Sequence, residues 1–313
     1  MDFSQKLISP LVPSFNFQQF SNLSKYFLQL VRWHFAFRSQ LYAGKGLFSA
    51  ILLLMINPTA SQTHLMPASA RIIGLAGGQT CLSGDGIGCA HPAGLCAEPH
   101  WAAEITYHRP YGLAELANQQ ATLRLSQPHY GLALGVQLMG FALYQEGQIC
   151  FAGGRTVWRQ AIVGATLRQG WIKIRNYGQT GFHTADLSFL YPCGSTFSYG
   201  GLVTNILSSR FGPSRTRLPL SWQTGICYRP TPAAAVYLDY YKATPWPGCL
   251  RLAAEISHQD LLRLRLGWCT EPATLAFGLG VQQGNLIFDY GCGDHPDLGF
   301  SHMVTCSFLR AIK

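Results

Sequence analysis

Residues able to do chemistry are few in this chain of 313 residues, and most of them stand alone. Asp294-His295, with Asp297 and His302 close behind, has the side-chain types for acid/base or metal chemistry. No activated nucleophile is recognisable beside them, and Asp in such clusters hydrogen-bonds its own backbone, so catalysis is not expected there. No G-x-S-x-G elbow offers a serine nucleophile. Gly77-Gly78 suggests a phosphate cradle, but neither GxxxxGK[ST] nor GxGxxG follows a strand here. The ten cysteines are Cys81, Cys89, Cys96, Cys150, Cys193, Cys227, Cys249, Cys269, Cys292 and Cys306. No CxxC occurs among them, and the spacing of the first three fits no zinc template. In an oxidising envelope an even count can mean disulfides, whereas within strands cysteine is simply a small apolar residue. Unpaired wall cysteines and a disulfide in the 69–96 segment both stand as readings. No cofactor or metal is expected, and the chain reads as a non-enzyme.

The charges are more informative, because the elements around them have a period of two. In Gln120–Ser126, Ala121, Leu123 and Leu125 share one face while Gln120, Thr122, Arg124 and Ser126 share the other. Leu262, Leu264, Leu266 and Trp268 alternate with Arg263, Arg265 and Gly267 in the same way. Leu275, Phe277, Leu279 and Val281 alternate with Thr274, Ala276, Gly278 and Gly280. Large apolar side chains on one face, and small or polar ones on the other, is the sense of a transmembrane barrel. Strand parity then places Glu104, His108, Arg124, Arg168, Asp186, Asp239, Glu255, Arg263, Arg265 and Asp289 on the lumen face. Two readings stand for them: pairing across a plugged lumen, or lining a polar passage.

Composition agrees with a surface that does not face water. Only 12% of residues are charged, about half the share usual in soluble chains, against 48% hydrophobic and 33 glycines. Disorder, coiled coils and highly charged nucleic-acid binders are excluded. The net charge of +9 is thinly spread once the +4 carried by residues 1–61 is set aside, and no basic run tracks phosphates. Leu47–Ile56 is apolar but too short to span a bilayer. Lys45 before it, Pro58 after it and Thr59-Ala60-Ser61 make a secretory signal peptide, with a buried core helix as the alternative. Cleavage near residues 60–62 leaves about 252 residues, and the long stretch ahead of Lys45 reads as an over-extended gene start. No later window is apolar enough for a helical span, so an exported chain this poor in charge points to a closed barrel.

Candidate strands lie near 101–109, 119–127, 130–142, 148–157, 160–174, 183–191, 196–207, 219–229, 233–242, 249–258, 261–270, 273–283, 285–292 and 300–310. The fold class is therefore all-β, an antiparallel transmembrane barrel of about 14 strands, with 12 as the alternative because 143–182 is ambiguous. Trp101, Trp158, Trp222 and Trp268 fall towards strand ends, where an interfacial girdle sits. Domains divide as 1–61 extension and signal peptide, 62–99 glycine-rich hatch or plug, and 100–313 barrel. A secreted soluble β-sandwich binding module is the competing architecture.

Two stretches resemble a known family. Ser69-Ala70-Arg71-Ile72-Ile73-Gly74-Leu75-Ala76-Gly77-Gly78, then Asp85, then His91-Pro92-Ala93-Gly94-Leu95, is similar to the opening of PorV/PorQ-type outer-membrane proteins, relatives of the FadL fatty-acid transporters. His91 stands where that family usually has Asn. Phe277-Gly278-Leu279-Gly280, Asp289-Tyr290-Gly291, His295-Pro296-Asp297-Leu298-Gly299 and Ser301-His302 resemble its C-terminal end. The resemblance implies a barrel in the bacterial outer membrane, with a hatch carrying Gly77, Gly78, Asp85, His91, Pro92, Ala93 and Gly94. FadL-like members pass hydrophobic compounds through a lumen pocket and a gap in the wall. PorV-like members serve type IX secretion and carry cargo proteins to the surface. The partners implied are membrane lipid and either a hydrophobic ligand or a secreted cargo protein, with no nucleic acid. The short mature length implies that the long external loops are trimmed.

Overall fold

The alternating segments form a wall. In the computed structural model, which describes residues 69–211, 216–259 and 261–312, fourteen antiparallel strands close into one barrel. The first seven are β1 (His100–Arg109), β2 (Asn118–Ser126), β3 (Tyr130–Phe141), β4 (Tyr144–Trp158), β5 (Ala161–Ile174), β6 (Gly178–Cys193) and β7 (Phe197–Thr204). A two-stranded ribbon follows, β8 (Arg210–Phe211) with β9 (Thr216–Arg217). The wall resumes with β10 (Ser221–Thr231), β11 (Ala234–Ala243), β12 (Cys249–His258), β13 (Leu262–Thr270), β14 (Ala273–Gln283), β15 (Leu286–His295) and β16 (Gly299–Ala311). Each wall strand pairs with its sequence neighbour, β7 with β10, and β16 returns to β1 with Trp101 opposite Arg310 and Arg109 opposite His302. The signal-peptide expectation over 45–61 lies outside the described residues.

Parity sets which side chains meet lipid. Along β13, Leu264, Leu266 and Trp268 are exposed while Arg265, Gly267 and Cys269 are buried. A soluble sandwich would bury the large residues, so this inversion excludes it. Trp101, Trp158, Trp222 and Trp268 are all on the exposed face. Among the described residues no helix is long and apolar enough to cross a membrane, and crossing is by strands.

Several boundaries differ from those expected, and β15 runs on to His295 rather than 292 by pairing with Gly299. β4 begins at Tyr144 rather than 148, because the polar stretch Tyr144–Gly147 pairs in register with Leu138–Phe141. β6 runs from Gly178 to Cys193 rather than 183–191, its polar start pairing with Gln169–Ile174. β7 stops at Thr204 rather than 207. The chain then turns at Asn205 (φ 57), whose amide donates to the Asp186 carboxylate while Ile206 N donates to Ala185 O. The described start of the excursion is thereby laid beside β6, with Leu218 packed on Ile172 and Phe182. The expected count of about 14 strands holds, and the alternative of 12 does not.

Both ends of the barrel chain, His100 and Ala311, lie at one rim, where every hairpin turn has two or three residues. Outer-membrane barrels keep short turns and termini on the periplasmic side, so the opposite rim faces outward. Connections there are 110–117, 142–143, 175–177, 205–220, 244–248, 271–272 and 296–298.

Residues Ser69–Cys96 run inside the wall. They contain one helical turn, α1 (Ala70–Gly74), capped by Ser69 Oγ accepting from Ile72 N, and a 3-10 turn at Pro92–Leu95. Large apolar residues of this segment meet small wall residues: Leu75, Leu82, Ile87 and Leu95 are fully buried, clustered with Ala133, Ala152 and Ala253. Each such burial contributes about 1.5–3 kcal/mol. The wall is glycine where the segment's backbone touches it. A Cβ at Gly267 on β13 would come within 2.6 Å of the Leu75 and Ala76 backbone, and one at Gly164 on β5 within 2.5 Å of Pro92 C and Ala93 N. Gly291, Gly278, Gly200 and Gly131 meet segment backbone in the same way, on β15, β14, β7 and β3.

Candidate functional site: the lumenal charges and the outward cavity

The ten residues expected on the lumen face point inward, and the 69–96 segment joins most of them. Arg265, wholly buried on β13, donates from Nε to Glu255 at 2.6 Å and from Nη1 to Asp289 at 2.5 Å. Arg71 of the segment reaches the same Glu255 with two bonds, Nη2 to Oε1 at 2.9 Å and Nε to Oε2 at 3.0 Å. Asp85 of the segment meets Arg263 at 3.1 Å and Arg124 at 3.6 Å, and Arg124 also approaches Glu104 at 3.4 Å. Across the lumen Arg168 pairs with Asp186 and donates to Cys89 O at 3.1 Å. Asp239 binds the segment without a cation: it accepts from Gln79 N, Thr80 N and Thr80 Oγ1 at 2.9, 3.2 and 2.7 Å, and from Gln223 at 2.7 Å. Burial pushes the Asp85 carboxyl up, but Arg124, Arg263 and Arg71 outweigh it and hold the group below its usual range. Burial brings the His91 imidazole down to about 4, so it packs as a neutral ring.

Removing one partner of such a network leaves a charge uncompensated, which costs about 3–5 kcal/mol. Arg265→Met should therefore strongly lower the temperature at which the folded barrel converts to the unfolded band on gels. Asp289 loses its guanidinium, whereas Glu255 keeps Arg71. Adding Asp289→Leu should restore most of the loss; no recovery in the double variant would show that the ion pair is not the cause.

Among the hatch-motif residues, Gly77 (φ 82) lies against Arg251, whose Nη1 donates to Gly77 O at 2.9 Å, and Gly78 lies near Tyr237 and Asp239. Pro92, Ala93 and Gly94 form the buried 3-10 turn, and Ala93 N donates to Ser188 Oγ at 2.8 Å. His295 Nδ1 accepts from Asp297 N and Leu298 N at 3.3 Å each, and His302 contacts Tyr290 OH at 2.8 Å. Asp294 and His295 end β15 opposite Phe300 and Gly299, His302 lies in β16, and only residues 296–298 turn. Among the described residues no group of three His, Cys, Asp or Glu could hold a metal ion.

Sequence reasoning missed Arg229 and Arg251, although the parity that selects Glu255 on β12 also selects Arg251. Arg229 Nη2 donates to Cys81 O at 3.3 Å, and Arg251 stacks on Tyr241 at 4.2 Å.

Above the segment, towards the outward rim, the lumen opens into a cavity of about 660 Å³. Ile72, Ile73 and Ala76 form its floor, and Met139, Leu202 and Ala276 line its walls together with His108 and Tyr241. His108 is buried, and neither ring nitrogen has a hydrogen-bond partner among the described residues. On the lipid side, a second hollow of about 950 Å³ runs across β3–β7 and β10, where Gly153, Ala165 and Gly201 lie low between Leu132, Leu187 and Trp222.

No protein-family profile matches the chain, and no curated protein is similar to it in sequence. Solved structures do match. The CymD monoaromatic hydrocarbon channel superposes with a TM-score of 0.57 at 12% identity, covering 81% of this chain and 99% of its own. The Ralstonia pickettii toluene transporter TbuX gives 0.54 at 11% identity, with 80% and 99% covered. A Pseudomonas aeruginosa FadL homologue gives 0.52 at 8% identity, with 80% and 99% covered. The first of these is a channel and the second a transporter. A closed barrel with an apolar outer face is the architecture of the bacterial outer membrane, where this protein resides. The chain has the FadL-type outer-membrane barrel fold.

Proposed function

We propose that the protein is an outer-membrane channel for small hydrophobic compounds, and that residues 69–96 act as its hatch. The observation that carries this reading is the outward-opening cavity, whose volume suits a small ligand and whose floor is the apolar surface of the hatch. Hydrophobic solutes partition from the outer face into that cavity, which offers them Ile72, Ile73, Met139 and Leu202. The lipid-side hollow, with glycine and alanine in place of large residues, lies beside it and shares Leu202 and Gln223 with it. The secretion-associated alternative would need a surface for cargo, and the short outward connections supply little of one.

Uptake of a labelled monoaromatic hydrocarbon by cells with an intact outer membrane tests the reading. Expression should raise the rate, and Ala276→Trp, which places an indole in the cavity without touching the lipid face, should lower it several-fold at equal protein level. Uptake equal to that of non-expressing cells would remove the transport assignment.

A further inference from the structure

Nine of the ten thiols are buried or half-buried, and among them Cys89 and Cys150 meet where the hatch touches β4. We propose that these two residues form a disulfide that fastens the hatch covalently to the barrel wall. The pair is buried, with 3% and 7% exposure, and Cys89 Sγ donates to Cys150 O at 3.9 Å. Gly135, opposite Cys150 on β3, makes the room. A Cβ at that position would lie 2.7 Å from Cys150 Sγ and 3.3 Å from Cys89 Sγ. Those two distances cap the separation of the sulfurs at about 6 Å, which side-chain rotation can close to a bond when the backbones are already adjacent.

The backbones are adjacent and fixed. Cys89 O accepts from Thr166 Oγ1 at 3.0 Å and from Arg168 Nη2 at 3.1 Å, both on β5, while Cys150 is held in register between β3 and β5. The linkage would join residues 61 positions apart, so it would tie the hatch at a point its ion pairs leave free. Those pairs run through Arg71 and Asp85 to β12, β13 and β2, and none reaches β4.

Formation is a thiol–disulfide exchange in the periplasm, where dithiols are kept oxidised. One cysteine, as thiolate, attacks the disulfide of a periplasmic thiol oxidase, giving a mixed disulfide and releasing one oxidase thiolate. The second cysteine, as thiolate, displaces the other. Two electrons and two protons pass from the cysteine pair to the oxidase, which leaves as a dithiol.

The proposal concerns how the hatch is held and rests on the hatch reading, but its readout is a thiol count rather than transport. Cells are quenched in acid, and the denatured protein is alkylated before and after reduction. Wild-type protein should yield a peptide pair joining Cys89 to Cys150 that disappears on reduction. Cys89→Ser should add one alkylated thiol without reduction, at Cys150, and Cys150→Ala should add one at Cys89. Full alkylation of both cysteines in unreduced wild-type protein overturns the proposal, and so does a linked peptide that pairs Cys89 with any other cysteine. Should the serine variant fail to assemble, the alanine variant and the wild-type peptide map decide the matter alone.

Discussion

Cells producing Leu264→Arg or Leu123→Arg are expected to show almost no folded protein in the outer membrane. Both leucines stand on the lipid face, 43% and 58% exposed, near the middle of β13 and β2. A guanidinium there costs about 2–4 kcal/mol at the bilayer midplane. The neighbouring Arg263→Leu lies on the other face. It loses bonds to Asp85 and to Gln282, but Asp85 retains Arg124. That variant should assemble at a substantial fraction of the wild-type level. The measurement is the heat-modifiable gel shift of membrane-extracted protein. Comparable losses at positions 263 and 264 would contradict the assignment of faces.

Deleting residues 69–90 should turn a nearly silent barrel into a conducting one. The wall does not depend on the segment for its hydrogen bonds, since every wall strand has two neighbours. Most wall charges also keep a partner after deletion: Glu255 retains Arg265, Arg124 retains Glu104, and Asp239 retains Gln223. The segment's fully buried Leu75, Leu82 and Ile87 leave with it, and water takes their place between small wall residues. In planar bilayers the intact protein should give little current and the deletion variant a steady open level. An assembled variant that stays closed would mean that wall side chains alone fill the lumen, and the hatch reading would fail.

Strand number and facing could be read from sequence because lipid on one side and a crowded lumen on the other impose opposite demands on alternate residues. The signal weakens where that contrast ends. Tyr144–Gly147 and Gly178–His183 lie at the outward ends of β4 and β6, beyond the apolar band, so only cross-strand hydrogen bonds with β3 and β5 specify them. Residues 205–207 continue an apolar-looking run from β7, but Asn205 at positive φ and its bond to Asp186 turn the chain aside. The cavity was not legible. It is lined jointly by Ile72, Ile73, Met139 and Leu202, residues far apart in sequence that no periodicity brings together. The ion pairs were half legible: parity supplies the inward charges, but not that Glu255 is shared between Arg71 and Arg265.

The outward rim has a consequence for the protein's visibility on a living cell. Connections 142–143 and 271–272 are tight turns, 110–117 bends over the cavity through Pro110, Tyr111 and Leu116, and Ile206 is bonded back to β6. At these connections little polypeptide projects beyond the wall, so the surface sugars of an outer leaflet would stand taller than them. Antibodies, phage tail fibres and added proteases would find few grips, whereas a solute small enough to pass between the sugars would reach the mouth unhindered.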